Sequence, residues 1–214
     1  MQNNRYAFFL AAIVSLGGFL FGFDAAVISG VNNFITAEFD LTSLQLGWVV
    51  ASVTISSAMA MFFAGAIADA IGRKKVLILV ALLYSISAIF SAMAPSYEAL
   101  VTARLIGGIA FGAALILVPL YIAETVPANL RGRMVSVNQL AIVLGFSVAY
   151  FSNYYLLQMS TSGSEFVQSI GLDTNTWRWM LGLESFPALL YFFLLFFIPN
   201  SPRWLSMKLS LIHI

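Results

Sequence analysis

Cysteine is absent from this sequence, histidine occurs once, and Asp, Glu, Lys and Arg together make up only 9% of its 214 residues. Each scarcity excludes something. Without cysteine there is no disulfide framework, no thiolate nucleophile and no cysteine-based metal site. The one histidine, His213, stands next to the last residue, so histidine-driven catalysis and haem ligation lose their usual side chain. Ordinary soluble domains carry about 25% charged residues, and the few here could not coat the surface of one. A net charge of +1 gives no case for a nucleic-acid partner. A disordered chain would need lower hydrophobicity and higher net charge.

Apolar side chains are what the sequence has in abundance: 61% hydrophobic residues and a mean hydropathy of +0.94. They gather in runs at Ala7–Ile28, Leu46–Ala68, Val76–Ala94, Ala99–Ala123, Met134–Leu157 and Trp179–Ile198. As a helix rising 1.5 Å per residue, each run can cross ~30 Å of hydrocarbon. Strands do not fit. Barrel segments alternate apolar and polar residues, whereas Ala7–Phe23 is apolar on every face apart from Ser15 and its glycines. The expected fold is an all-α membrane protein, a six-helix transmembrane bundle over residues 1–205 embedded in a lipid bilayer. The first run is longer than the 7–15 residues of a typical signal-peptide core, and five more follow it, so it reads as a retained helix.

Charge sets the orientation. With the N-terminus in the cytoplasm, Arg5, Arg73, Lys74, Lys75, Arg131, Arg133, Arg203 and Lys208 all lie inside. The outer loops then hold Glu38, Asp40, Glu98, Glu165 and Asp173, with Arg178 as their one base, a strong positive-inside bias. Gly17-Gly18-Phe19-Leu20-Phe21-Gly22 in the first span is echoed by Gly107-Gly108-Ile109-Ala110-Phe111-Gly112 in the fourth. Glycine is common where membrane helices pack closely. The echo also fits a three-plus-three inverted repeat of the kind that builds transporter halves, and the opposite directions of spans one and four favour that reading.

Four ionisable residues fall inside spans or at their edges: Asp24, Arg104, Glu124 and Glu184. A charge at mid-bilayer costs ~2.5–3.5 kcal/mol even on the lenient insertion scale, so such residues point to function. Counted from the outer span ends, Asp24, Arg104 and Glu184 lie in one layer ~6–9 Å deep. A static ion pair would fix helix packing. Two acids competing for one guanidinium leave one of them under-compensated, which favours a proton relay. In the fifth span Gln139, Ile142, Phe146, Tyr150 and Asn153 recur at helical spacing, with Asn138 beside them. Amides exchange hydrogen bonds with hydroxyls and rings cover apolar C–H faces, so the stripe suits a neutral polyhydroxyl ligand. Interhelical hydrogen bonding accounts for the same spacing.

Two loops at the basic end carry longer patterns. One is Gly65-Ala-Ile-Ala-Asp69-Ala-Ile-Gly72-Arg73-Lys74-Lys75, a tight turn that Gly72 permits. The other is Pro119-x-Tyr121-x-x-Glu124-x-x-Pro127-x-x-x-Arg131-Gly132-Arg133. Together with Gly22-Phe23-Asp24, Arg104 before Gly107-Gly108, Trp177-Arg178-Trp179 and Pro199-Asn200-Ser201-Pro202-Arg203-Trp204-Leu205, they resemble the sugar porter family of the major facilitator superfamily, from about Leu16 to Leu205.

The resemblance implies one six-helix half of a two-half carrier that works by alternating access, with a sugar as substrate and the C-terminal half as its missing partner. It implies that Asp24 is the proton-coupling acid paired with Arg104 and Glu184, that Gln139 and Phe21 contact sugar with Ile142 and Phe146 nearby, and that Gly65, Asp69, Gly72, Arg73, Glu124, Arg131, Gly132 and Arg203 belong to a cytoplasmic latch. No cofactor and no metal are implied; the coupling ion is a proton. Three positions depart from the pattern. Ala70 stands where a basic residue is usual, Asn200 replaces an acid, and Phe146 takes the place of a second glutamine in some carriers, which leaves the identity of the sugar open. Other readings are a uniporter of a sugar, cyclitol or other polyol, a channel, and a helical scaffold. An intramembrane enzyme would need a base or metal ligands beside its serines at membrane depth, and these spans offer neither. The tail, 206–214, loses the family pattern. Its last six residues, Leu209–Ile214, back-translate to the transposon end of a common sequencing-library preparation, so 209–214 is expected to be adapter DNA read in frame.

Overall fold

The computed structural model describes residues 2–162 and 165–212, with side chains over 5–162 and 165–208. Among them the chain is helical throughout: α1 (Gln2–Phe39), α2 (Ser43–Ile71), α3 (Arg73–Ala92), α4 (Tyr97–Thr125), α5 (Arg131–Ser160), α6 (Glu165–Ser169), α7 (Thr176–Leu183), α8 (Ser185–Leu194) and α9 (Pro202–Ile212), with 3-10 turns at Ala128–Leu130 and Leu195–Phe197. Six stretches are long and apolar enough to cross a membrane: Arg5–Phe39, Ser43–Ile71, Arg73–Ala92, Tyr97–Thr125, Ala128–Ser160 and Thr176–Phe197. Each contains one of the expected apolar runs or nearly all of it. His213 and the side chains of 209–212 lie outside the described residues, so the expected adapter-derived tail does too, except for the backbone of α9.

Two spans differ from the sequence expectation. Helix α1 continues past Ile28 to Phe39, which makes it 38 residues or ~57 Å long. No proline stops it, and Ser29 and Thr36 turn their hydroxyls back onto the carbonyls of Ala26 and Asn32, which lets polar residues stay helical. It ends at Asp40, whose φ of 48° is left-handed, and Thr42 and Gln45 then start α2 with a reciprocal capping box. Glu38, expected in a loop, therefore sits in the last turn of α1. The sixth span is broken. Pro187 has no N–H to donate to the carbonyl of Leu183, and its ring crowds that carbonyl, so the helix parts at Glu184 into α7 and α8.

Helices α1 and α4 form the centre, 61% and 56% buried over their most apolar windows, while α2 and α5 are only 28% buried and present open faces. The most extensive packing is α1 along α5 and α4 along α2. Exchanging one to three with four to six maps the first pair onto the second. The glycine echo follows the same rule. A Cβ on Gly22 would collide with the carbonyl of Ile142 on α5, and one on Gly112 would collide with the carbonyl of Ser57 on α2. The equivalent phenylalanines, Phe21 and Phe111, stack on each other with ring centroids 3.9 Å apart. Both readings of the echo hold: the glycines permit close packing, and they do so at positions related by an inverted repeat.

The buried apolar residues form two clusters. One, toward the end that carries Arg73, contains Leu20, Tyr84, Ala110 and Ala188. The other, toward the end that carries Glu38, contains Phe23, Leu100 and Leu181. A polar seam separates them.

Candidate functional site

That seam holds the three intramembrane charges. Asp24, Arg104 and Glu184 are all buried, at 4%, 3% and 3% exposure. Asp24 lies one residue beyond Phe23, Arg104 four beyond Leu100, and Glu184 at the break between α7 and α8, so each enters the gap between the two apolar clusters. Nη1 of Arg104 donates to Oδ1 of Asp24 in a buried ion pair. Glu184 is buried in the same seam, within electrostatic reach of both partners. Oδ2 of Asp24 and Nε of Arg104 are buried without hydrogen-bond partners among the described residues. The layer expected from sequence is therefore assembled, although not by equal depth from the helix ends. Asp24 stands fifteen residues, ~22 Å, before α1 ends at Phe39, while Arg104 stands seven residues, ~10 Å, into α4. The overhang of α1 makes up the difference.

The network at the other end forms around Glu124. Arg73 reaches it with Nε at 3.1 Å and a second guanidinium nitrogen at 3.1 Å, a bidentate pair with both side chains at 5% exposure or less. The same guanidinium binds Asp69 at 2.6 Å and the carbonyl of Ala68 at 3.1 Å. Gly72, with φ of 103°, supplies the one-residue turn that brings Arg73 back under Asp69. The segment after the sixth span closes the cluster. Ser201 donates to Glu124, the indole N–H of Trp204 donates to the carbonyl of Asp69 at 2.9 Å, and Tyr121 donates to the carbonyl of Pro199 at 2.7 Å. Arg131 and Arg203 are exposed and form no ion pair among the described residues; Arg131 donates only to the carbonyl of Val126. A Cβ added at Gly65 or Gly132 would meet nothing within 4 Å. Of the eight latch positions, Asp69, Gly72, Arg73 and Glu124 are brought together. Gly65 and Gly132 border open space, and Arg131 and Arg203 are exposed beside the cluster without an ion pair among the described residues.

The stripe on α5 divides. Ile142 and Asn153 belong to the buried face with Met134, Asn138, Gly145 and Ala149. Asn153 donates to the carbonyl of Val27 at 3.0 Å, and Ile142 packs against Gly18 and Gly22. This part of the stripe is interhelical hydrogen bonding and packing, and Asn138 lies squarely within it. Gln139 and Tyr150 are exposed on the neighbouring face and Phe146 is half-buried, so a ligand could reach these three. Phe21 is half-buried against Phe111.

A second cluster escaped the sequence reading. Glu38 accepts from Nη2 of Arg178 at 2.7 Å and from the indole of Trp177, whose ring lies 4.4 Å under the Arg178 guanidinium. Arg178 also donates to the carbonyls of Ala92 and Ala94 at the end of α3. These contacts clamp the ends of α1, α3 and α7. Arg178 was visible as the one base among outer acids, but its partner was hidden by placing Glu38 in a loop.

The chain matches the family model "Sugar (and other) transporter" over residues 10–211. It is 41% identical over 203 residues to the glucose transport protein of Synechocystis sp., covering 95% of this chain and 43% of that protein. To the galactose-proton symporter of Escherichia coli K12 it is 38% identical over 207 residues, covering 97% and 41%. Among solved structures, the proton:xylose symporter XylE bound to 6-bromo-6-deoxy-D-glucose superposes with a TM-score of 0.86 at 35% identity, covering 96% of this chain and 47% of that one. The chain thus spans less than half the length of each of these proteins.

Proposed function

The chain belongs to the sugar (and other) transporter family, and from that premise we propose that it is the N-terminal half of a proton-coupled monosaccharide carrier that works by alternating access. The observation that carries the proposal is the buried Asp24–Arg104–Glu184 cluster. Two acids share one guanidinium in a seam where an unpaired charge is expensive. A proton on one acid removes that charge, and its loss draws Arg104 back. Alternation between these two arrangements couples proton movement to a change in helix packing. The proton symporters among the relatives, named for galactose and xylose, fit this chemistry.

The half acts with a second six-helix half, and the open faces of α2 and α5 are where that half and the sugar are received. Gln139, Phe146 and Phe21 offer the sugar an amide and two rings, while Ile142 supports them from the α1–α5 seam. The N-terminus lies in the cytoplasm of a bacterial inner membrane, with Arg73 and its neighbours inside. The Asp69–Arg73–Glu124 network is the latch of the outward-facing state; Gly65, Arg131, Gly132 and Arg203 contribute from the surface that meets the second half. No cofactor takes part. Residues 1–205 form the bundle.

The test is accumulation of labelled pentoses, hexoses and inositols by vesicles that contain the full-length carrier under an imposed proton gradient. Concentrative uptake of at least one monosaccharide, abolished by a protonophore, is expected; equilibration to the outside concentration with no response to the gradient would overturn the reading. The latch gives a further expectation. Asn200 is exposed beside Ser201, whose hydroxyl already serves Glu124. Asn200→Glu adds a carboxylate next to this basic surface and shifts the carrier toward the outward-facing state, read as a severalfold increase in labelling from the periplasmic side. Unchanged labelling would remove residue 200 from the latch.

A further inference from the structure

Helices α2, α3 and α4 leave a groove of about 410 Å³ between them on the outside of the bundle. Met59, Phe63 and Ile67 line it from α2, Leu79 and Leu83 from α3, and Ile109 from α4. Met59 and Phe63 are each 62% exposed, so the groove is open along one side. Along α2 its lining runs from Ser56 to Ile67, ~16 Å of helix. On α3 it begins at Val76, in the first turn of the helix, so it opens at the basic end. Its length matches the ~15 Å of hydrocarbon in one leaflet. Ser56 is the one polar side chain in the lining among the described residues, and its hydroxyl already donates to the carbonyls of Ser52 and Val53. A sugar or a polar peptide would give up its hydration there without replacement.

One turn before Leu79, on the same face of α3, Lys75 is exposed and forms no hydrogen bond or ion pair among the described residues. Its two neighbours are engaged: Arg73 with Glu124 and Asp69, and Lys74 with the carbonyl of Phe196. An apolar groove one leaflet deep, with an unpaired cation at its mouth, is complementary to an amphiphile with an anionic head. We propose that the groove holds one acyl chain of an anionic phospholipid from the leaflet at the basic end, and that Lys75 holds its phosphate. A helix of the second half is the other apolar occupant, but that half is received across α2 and α5 together, and the groove lies on the α3 side. Ile109 faces the groove, whereas Phe111, two residues on and about 200° round α4, stacks on Phe21 of α1. The lipid chain fills space between α2 and α3, which pack on each other far less than each packs on α4. It lies next to the Gly72 turn, where Arg73 and Asp69 pair.

The test is a titration of the delipidated full-length carrier in detergent with phosphatidylglycerol or phosphatidylcholine of the same chains, the complexes being counted by native mass spectrometry. The first phosphatidylglycerol should bind about fivefold more tightly than phosphatidylcholine, the contribution of a single lysine at a lipid surface. Lys75→Ala, a change at an exposed side chain, should remove that preference and leave phosphatidylcholine binding in place. Arg133→Ala, which deletes an exposed base of the same end on α5, should keep the preference. Ala60→Phe fills the groove from a half-buried position and should weaken the first site for both lipids by about tenfold, at an unchanged thermal midpoint. Equal affinities in the parent, or an equal loss of preference in Lys75→Ala and Arg133→Ala, would overturn the proposal. So would undiminished lipid binding by a folded Ala60→Phe, the result expected if the second half covers the groove.

Discussion

Asp24→Asn in the full-length carrier should abolish proton-driven accumulation while sparing the exchange of sugar down its own gradient. The side chains are close to isosteric and the amide still accepts a hydrogen bond from Arg104, so the packing between the two apolar clusters survives. What is lost is the site whose charge changes. A proton that crosses 100 mV supplies about 2.3 kcal/mol, enough for a roughly fiftyfold sugar gradient. The variant should fall to a ratio of about one, with counterflow near the parent rate. Glu184→Gln should give a weaker defect, because Glu184 faces the pair without holding the Arg104 contact that Asp24 holds. Full accumulation by Asp24→Asn would take this residue out of the mechanism.

The second large effect is structural. Gly22→Leu and Gly112→Leu should each destabilise the bundle severely, because even the first carbon of the new side chain collides with a backbone carbonyl, that of Ile142 or of Ser57. A carbonyl in a packed helix cannot rotate aside, so the seam must open along its length. The expected cost is about 3 kcal/mol, read as a fall in thermal midpoint of about 10 °C in detergent. Gly65→Ala and Gly132→Ala meet open space and should stay within about 0.5 kcal/mol of the parent. Equal effects at all four glycines would mean that the two seams are not related by the repeat, since general helix propensity would then suffice.

The contrast among these glycines shows what the sequence could tell and what it could not. All six spans were legible because ~20 apolar residues leave few alternatives. So were the charged residues that meet in the seam, because an ionisable group in hydrocarbon must find its opposite; the grouping of Asp69, Arg73 and Glu124 was expected from the family resemblance of the two loops at the basic end. The overhang of α1 was not legible, since Ser29, Asn32 and Thr36 look like loop residues until the Ser29 and Thr36 hydroxyls are seen to bond backwards within the helix. Asn138 and Gln139 are neighbours in sequence, and only the azimuth of α5 against α1 sends one into the seam and the other to an open face.

The central claim is that movement of a proton through the Asp24–Arg104–Glu184 seam is tied to movement of sugar. The most direct measurement is the external pH of a lightly buffered suspension of de-energised cells that express the full-length carrier, followed after a pulse of a transported monosaccharide. The account predicts prompt alkalinisation of about one proton per sugar taken up, absent in Asp24→Asn. Sugar uptake at an unchanged external pH would contradict it.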